Sequence, residues 1–172
     1  MRRSPRERLI AVCLAWAWTC VSIAADPVDE SRVAEGISLY DARRFDDAMA
    51  VLEPAAASGS ASAQYHLGLI HARGDGRPRD LAAAARWFQR AAEHGHGHSQ
   101  FILGHMYATG DGVDIDRSRA HMWYSAAAAN GWWKAREARE KLVDAGMTPA
   151  EITEAGRLLR AWQESRRETS AR

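Results

Sequence analysis

A tandem repeat limits what this chain can fold into. Residues 63–95 and 99–131 coincide when one is slid along the other by 36 positions. Gln64 meets Gln100, Leu67 and Gly68 meet Leu103 and Gly104, and Gly74-Asp75-Gly76 meets Gly110-Asp111-Gly112. Asp80 meets Asp116, Trp87-Phe88 meets Trp123-Tyr124, Ala91-Ala92 meets Ala127-Ala128, and Gly95 meets Gly131. A fixed period of this size marks a solenoid, in which each unit is one supersecondary element stacked on the next.

Within a unit, Ala63, Leu67, Ile70 and His71 fall on one helical stripe. The stripe contains a glycine, which costs a helix interior about 1 kcal/mol relative to alanine. Its recurrence as Gly68 and Gly104 predicts close helix packing, where a Cβ would clash. The Gly-Asp-Gly triplet then stops the helix, because glycine reaches the left-handed conformation that helix ends favour. Asp80 and Asp116 are expected to cap a second helix. Its apolar face is Ala84, Trp87, Phe88, Ala91 and Ala92, spaced by three and four residues. Gly95 and Gly131 end it. Each unit is therefore a helix–loop–helix hairpin.

The pattern resembles the Sel1-like repeat family, relatives of the tetratricopeptide repeats. The residues that carry the match are A-Q-Y-x-L-G at 63–68, G-D-G at 74–76 and A-x-x-W-F-x-x-A-A at 84–92. The second copy has S-Q-F-x-L-G at 99–104, G-D-G-V at 110–113 and A-x-x-W-Y-x-x-A-A at 120–128. The resemblance implies an all-α fold, an α-solenoid of helical hairpins, acting mainly as a protein-binding adaptor. It implies no single partner and no reaction.

The ends of the chain complete the organisation. Residues 1–25 place Arg2, Arg3, Arg6 and Arg8 before an apolar run from Leu9 to Val21 and a small-residue stretch, Ser22-Ile23-Ala24-Ala25. This is the layout of a secretory signal peptide, with an uncleaved membrane anchor as the alternative. It predicts a periplasmic or secreted protein, or one anchored in the inner membrane and facing the periplasm. Both cysteines, Cys13 and Cys20, lie in this segment, and neither follows the small residue expected before a lipidated cysteine. The remainder can form no disulfide. It departs there from exported Sel1-like proteins that staple each hairpin with a cysteine pair.

After a flexible lead at 26–31, the solenoid is expected over 32–166, with a tail at 167–172. Gly36, Ala48, Leu52 and Ala55 mark a degenerate first hairpin at 32–59, with helices near 32–42 and 45–57. Two full units follow at 60–95 and 96–131, with helices near 61–73, 80–94, 97–109 and 116–130. A partial unit and a cap occupy 132–166. Thr148-Pro149-Ala150-Glu151 is a helix start with a capping box. Ile152, Ala155, Leu158, Leu159 and Trp162 form the apolar face of the cap, which shields the open end of the solenoid. Met147 to Ile152 also matches the M-T-P-x-x-I segment in which exported Sel1-like proteins often end.

Charge argues against nucleic acid as a partner. The net charge is +1, and removing residues 1–25 leaves 19 basic and 21 acidic residues, whereas nucleic-acid binding needs a strongly basic face. His94, His96 and His98 form the sharpest chemical candidate, since histidine-rich tracts bind transition metals. Against that, the tract is an interhairpin linker, and three histidines on a glycine-spaced loop have no fixed geometry. The Gly-Asp-Gly triplets lack the Lys-Ser/Thr of a P-loop and the terminal Glu of an EF-hand. Asp111, Asp114 and Asp116 would hold calcium only weakly. The chain outside 1–25 offers no cysteine nucleophile and no G-x-S-x-G serine, and no cofactor or small-molecule substrate is implied.

The expectation is a non-enzymatic interaction module, a short right-handed superhelix of about three hairpins plus a terminal cap. A protein or peptide would lie in the concave groove lined by the first helix of each hairpin. Positions that differ between copies supply candidate contacts: His66 where the next copy has Ile102, and His105 where the earlier copy has Leu69. Trp132 and Trp133 lack aromatic counterparts, and one of them is expected to be an exposed anchor. The alternative is a periplasmic metal-binding protein using His94, His96 and His98.

Overall fold

The computed structural model describes residues 30–170. The expected targeting segment at 1–25, with its two cysteines, lies outside the described residues. Among the described residues there are eight α-helices and no strand. They are α1 (Glu30–Asp41), α2 (Phe45–Ala57), α3 (Ala61–Arg73), α4 (Leu81–Glu93), α5 (Gly97–Thr109), α6 (Arg117–Ala129), α7 (Trp133–Asp144) and α8 (Pro149–Ser170). No described helix is long and apolar enough to cross a membrane.

Helices α1/α2, α3/α4 and α5/α6 pack as hairpins, and each second helix also packs on the first helix of the next unit. The recurring glycine is the hinge point of this packing. A Cβ on Gly68 would stand 2.6 Å from Phe88 Cε1, one on Gly104 2.7 Å from Tyr124 Cδ1, and one on Gly36 2.7 Å from Leu52 Cδ2. Each glycine thus admits the large side chain facing it. Phe88, Leu52, Leu67, Ile70 and Leu103 are fully buried, and small alanines let the helices close around them. Trp87, expected in the core, is only half-buried and carries the Arg90 guanidinium 4.8 Å from its ring centre.

The loops repeat as faithfully as the helices. Gly74 and Gly110 end α3 and α5 in the left-handed conformation, at φ 76° and 84°. The loop closes where Asp80 N–H reaches His71 O and Asp116 N–H reaches Tyr107 O, both at 2.9 Å. The same two aspartates cap α4 and α6, accepting from Ala83 N–H at 2.8 Å and Arg119 N–H at 2.9 Å.

At the far end, α7 and α8 both pack on α6. The capping box forms: Glu151 Oε2 accepts from Thr148 N–H at 2.6 Å, and Thr148 Oγ1 accepts from Glu151 N–H at 3.2 Å. Ala155 is buried, Leu158 and Leu159 pack on the core, and Trp162 meets Trp123 edge-on at 5.6 Å. Two expectations need correction. Ile152 does not join this face but is 38% exposed, in the first turn of α8. The expected tail is instead helical as far as Ser170. Arg166 stacks on Trp162 one turn back, at 5.1 Å.

Candidate functional site

Two glutamines that recur in sequence turn out to hold the repeats together. Gln64 Nε2 donates to Ala56 O of the previous hairpin at 2.9 Å, and Gln100 Nε2 donates to Ala92 O at 3.1 Å. Each side-chain oxygen then takes a donor from the end of its own hairpin's second helix. Gln64 Oε1 is 2.9 Å from His94 Nδ1, and Gln100 Oε1 is 2.8 Å from Asn130 Nδ2. The glutamines are 2% and 0% exposed, so unpaired amides there would be costly. The sequence signal was their shared register. Their partners were not visible, because these lie on other helices.

This joint explains the histidine tract. His94 fills the position of Asn130 and serves Gln64. His96 is the N-cap of α5, with Nδ1 accepting from Ser99 N–H at 3.2 Å. His98 sits in the first turn of α5. Its Nδ1 is 3.0 Å from Tyr65 Oη, and its ring stacks on Trp132 at 4.4 Å with an angle of 17°. All three imidazoles are therefore fixed, contrary to the expectation of a loop without geometry. They are also committed to different partners. Among the described residues, no three His, Cys, Asp or Glu side chains are grouped to hold a metal. The tract is not gathered into the metal site of the alternative reading, because the backbone turn between α4 and α5 sends His94 toward Gln64 and His98 toward Trp132.

The expected contact residues divide into two neighbouring places. One is a strip of stacked rings running across the units. Tyr40 of α1 meets His66 of α3 at 5.6 Å, and His66 meets Tyr65 at 5.1 Å. Tyr65 meets His96 at 4.7 Å and His98 at 5.2 Å; beyond the His98–Trp132 stack, Trp132 meets Phe101 at 6.3 Å. His66 and Trp132 thus belong to one partly exposed surface. The other place is a pocket of about 210 Å³ whose lining includes Phe88, Phe101, Ile102, Met106 and His105, with the charged Arg79 and Asp111. Phe101 joins it to the strip. Ile102 is half-buried there and His105 is exposed. Trp133 is 72% exposed, with the Lys134 ammonium 5.5 Å from its ring centre.

Burial sets the protonation of this surface. It holds His96 and His98 below the ordinary histidine range, helped at His96 by His98 and His66, and at His98 by Lys134. Burial also raises Tyr65, against the opposing charge of Arg73. His96, His98 and Tyr65 are therefore neutral at neutral pH.

Two larger clefts lie elsewhere, both lined by Trp162. One of about 500 Å³ between α6 and α8 is lined by Ala126, Asn130, Gln163, Arg166 and Arg167. The other, of about 430 Å³, adds Glu93 and His94. Sequence reasoning assigned Trp162 to the core alone. The one available signal was Arg166 four positions after it, a stacking distance on a helix.

The family model described as Sel1 repeat matches twice, at residues 61–96 and 97–132. Among solved structures, the chain is similar to a protective antigen of uropathogenic Escherichia coli strains displaying an SLR fold. The identity is 27% and the TM-score 0.71, over 78% of this chain and 30% of that one. It is also similar to a Sel1 repeat protein from Oxalobacter formigenes, at 32% identity and TM-score 0.62, over 66% of this chain and 47% of that one. The chain thus spans less than half the length of either. No curated protein matches it.

Proposed function

This chain is a Sel1-like repeat protein, and from that premise we propose that it is a non-catalytic adaptor of the bacterial cell envelope, holding a protein or peptide segment along the first helices of its hairpins. Sel1 repeats are in general protein–protein interaction modules. The observation that carries the finer reading is the strip from Tyr40 through His66, Tyr65 and His98 to Trp132, flanked by the exposed Trp133. Rigid aromatic side chains present large contact area with little conformational entropy to lose, and tryptophan is enriched where interfaces hold tightest. The pocket at Ile102 and His105 adds a recess for one apolar side chain beside the strip. The envelope placement rests on residues 1–25, whose arginines precede an apolar run and a small-residue stretch.

The test is affinity capture of proteins from an envelope extract of the source cell, with chelator present. Wild type is run beside Trp133→Ala and a His66→Ala/His105→Ala double variant. A partner held by wild type and lost from both variants supports the groove. A partner held equally by all three removes it.

A further inference from the structure

The residue that opens each first helix changes along the repeat, and the change alters its chemistry. Positions 60, 96 and 132 are equivalent under the 36-residue shift and carry Ser60, His96 and Trp132. The Ser60 hydroxyl caps α3 by accepting from Ala63 N–H at 3.2 Å, a bond indifferent to mild acid. Trp132 makes no side-chain cap. His96 caps α5 through Nδ1, which accepts from Ser99 N–H at 3.2 Å and lies 2.9 Å from the Ser99 hydroxyl. An imidazole nitrogen accepts only while it carries no proton. The cap therefore requires the neutral ring with its hydrogen on Nε2.

Burial and the neighbouring histidines oppose a positive charge on this ring. The start of α5 is the positive end of the helix dipole. Tyr65 and His66 face it from α3, and His98 from α5 itself. Beyond His98 stands Lys134 of α7. None of these groups is negative at neutral pH. Burial, then His98, then His66, hold the His96 imidazole below its ordinary range, so a proton is favoured only once the ring is released.

We propose that His96 is a proton-sensitive latch at the joint between the two matched repeats. A solvent proton added at Nδ1 breaks the α5 cap, leaves Ser99 N–H unpaired and loosens the start of α5 against Tyr65 of α3. The aromatic strip crosses this joint through Tyr65 and His98, so partner binding weakens in mild acid. That consequence rests on the function proposed above; the latch itself does not.

The test is amide exchange followed by NMR on the full chain at pH 7.5 and 5.5, with protection corrected for intrinsic rates. In wild type, Ser99 protection is expected to fall about fivefold, the loss typical of one helix cap. Ala63, capped by Ser60, should hold. His96→Ser and His96→Asn keep a cap that mild acid does not touch, so both should abolish the fall at Ser99. The nitrogen shifts of His96 at pH 7.5 should report hydrogen on Nε2. A flat Ser99 profile in wild type, an equal fall in the two variants, or hydrogen on Nδ1 overturns the latch. If the latch responds but captured partner is unaffected by pH, the groove reading fails and the latch stands.

Discussion

Replacing Gly104 by alanine separates two opposing effects of known size. Alanine in a helix interior is worth about 1 kcal/mol over glycine. At Gly104, however, the new methyl would stand 2.7 Å from Tyr124 Cδ1 and 3.2 Å from Ala120 O. Tyr124 is 3% exposed and its ring rests against Phe101 at 5.8 Å, so it has nowhere to swing. Overpacking of this kind costs roughly 1–3 kcal/mol. The net expectation for Gly104→Ala is a loss of about 1 kcal/mol. Gly156, inside α8, supplies the control, since its nearest neighbour would be Arg160 Nη1 at 3.6 Å, an ordinary contact. Gly156→Ala should therefore gain about 0.5–1 kcal/mol. Thermal melts followed by circular dichroism should move in opposite directions, by roughly 4 °C per kcal/mol for a chain of this size. If Gly104→Ala melts at or above the wild-type temperature, the claim that this glycine exists to admit Tyr124 is wrong.

Three further predictions rest on other features. Asp80→Ala and Asp116→Ala each remove a side-chain cap and should cost about 1 kcal/mol, read from urea midpoints, with Asn retaining most of the stability. Gln100→Ala strips Ala92 O and the Asn130 amide of a buried partner; chemical denaturation should show a loss of roughly 1–3 kcal/mol, and a neutral result would refute the interrepeat clamp. Stability should be flat between about pH 7 and 8 and fall as pH drops through about 6.5. His71, His96, His98 and His121 all sit below the ordinary histidine range in the folded chain, chiefly through burial, so the unfolded chain takes up protons first. Glu137, Glu151 and Glu154 are held low by Lys141, Thr148 and Arg157 respectively, and add their own loss only below their ordinary value of 4.5. Urea midpoints across pH 8 to 5 that stay level would refute the histidine assignment.

What the sequence determined by itself is the one-dimensional order of the molecule. A 36-residue period, glycines at one register and aspartates before each second helix set the hairpins, their boundaries and their caps. Each of these depends on groups within a few positions of one another, or on a repeat that displays the same solution twice. The glycines of the first helices were legible for the same reason: only a close approach justifies a helix-weakening residue in two copies. Tertiary structure alone decided where the polar side chains go. Gln64 and Gln100 stood out as landmarks, but their partners, Ala56 O with His94 and Ala92 O with Asn130, belong to neighbouring helices. His94, His96 and His98 alternate with glycines in the chain, yet the turn from α4 into α5 gives them a joint, a cap and a stack. The strip from Tyr40 to Trp132 joins α1, α3, α5 and the residue before α7, from four places far apart in sequence. Helical periodicity fixes which face a residue occupies, but the residue it meets is set by how successive hairpins stack, and that angle comes from the summed packing of side chains distant in the chain.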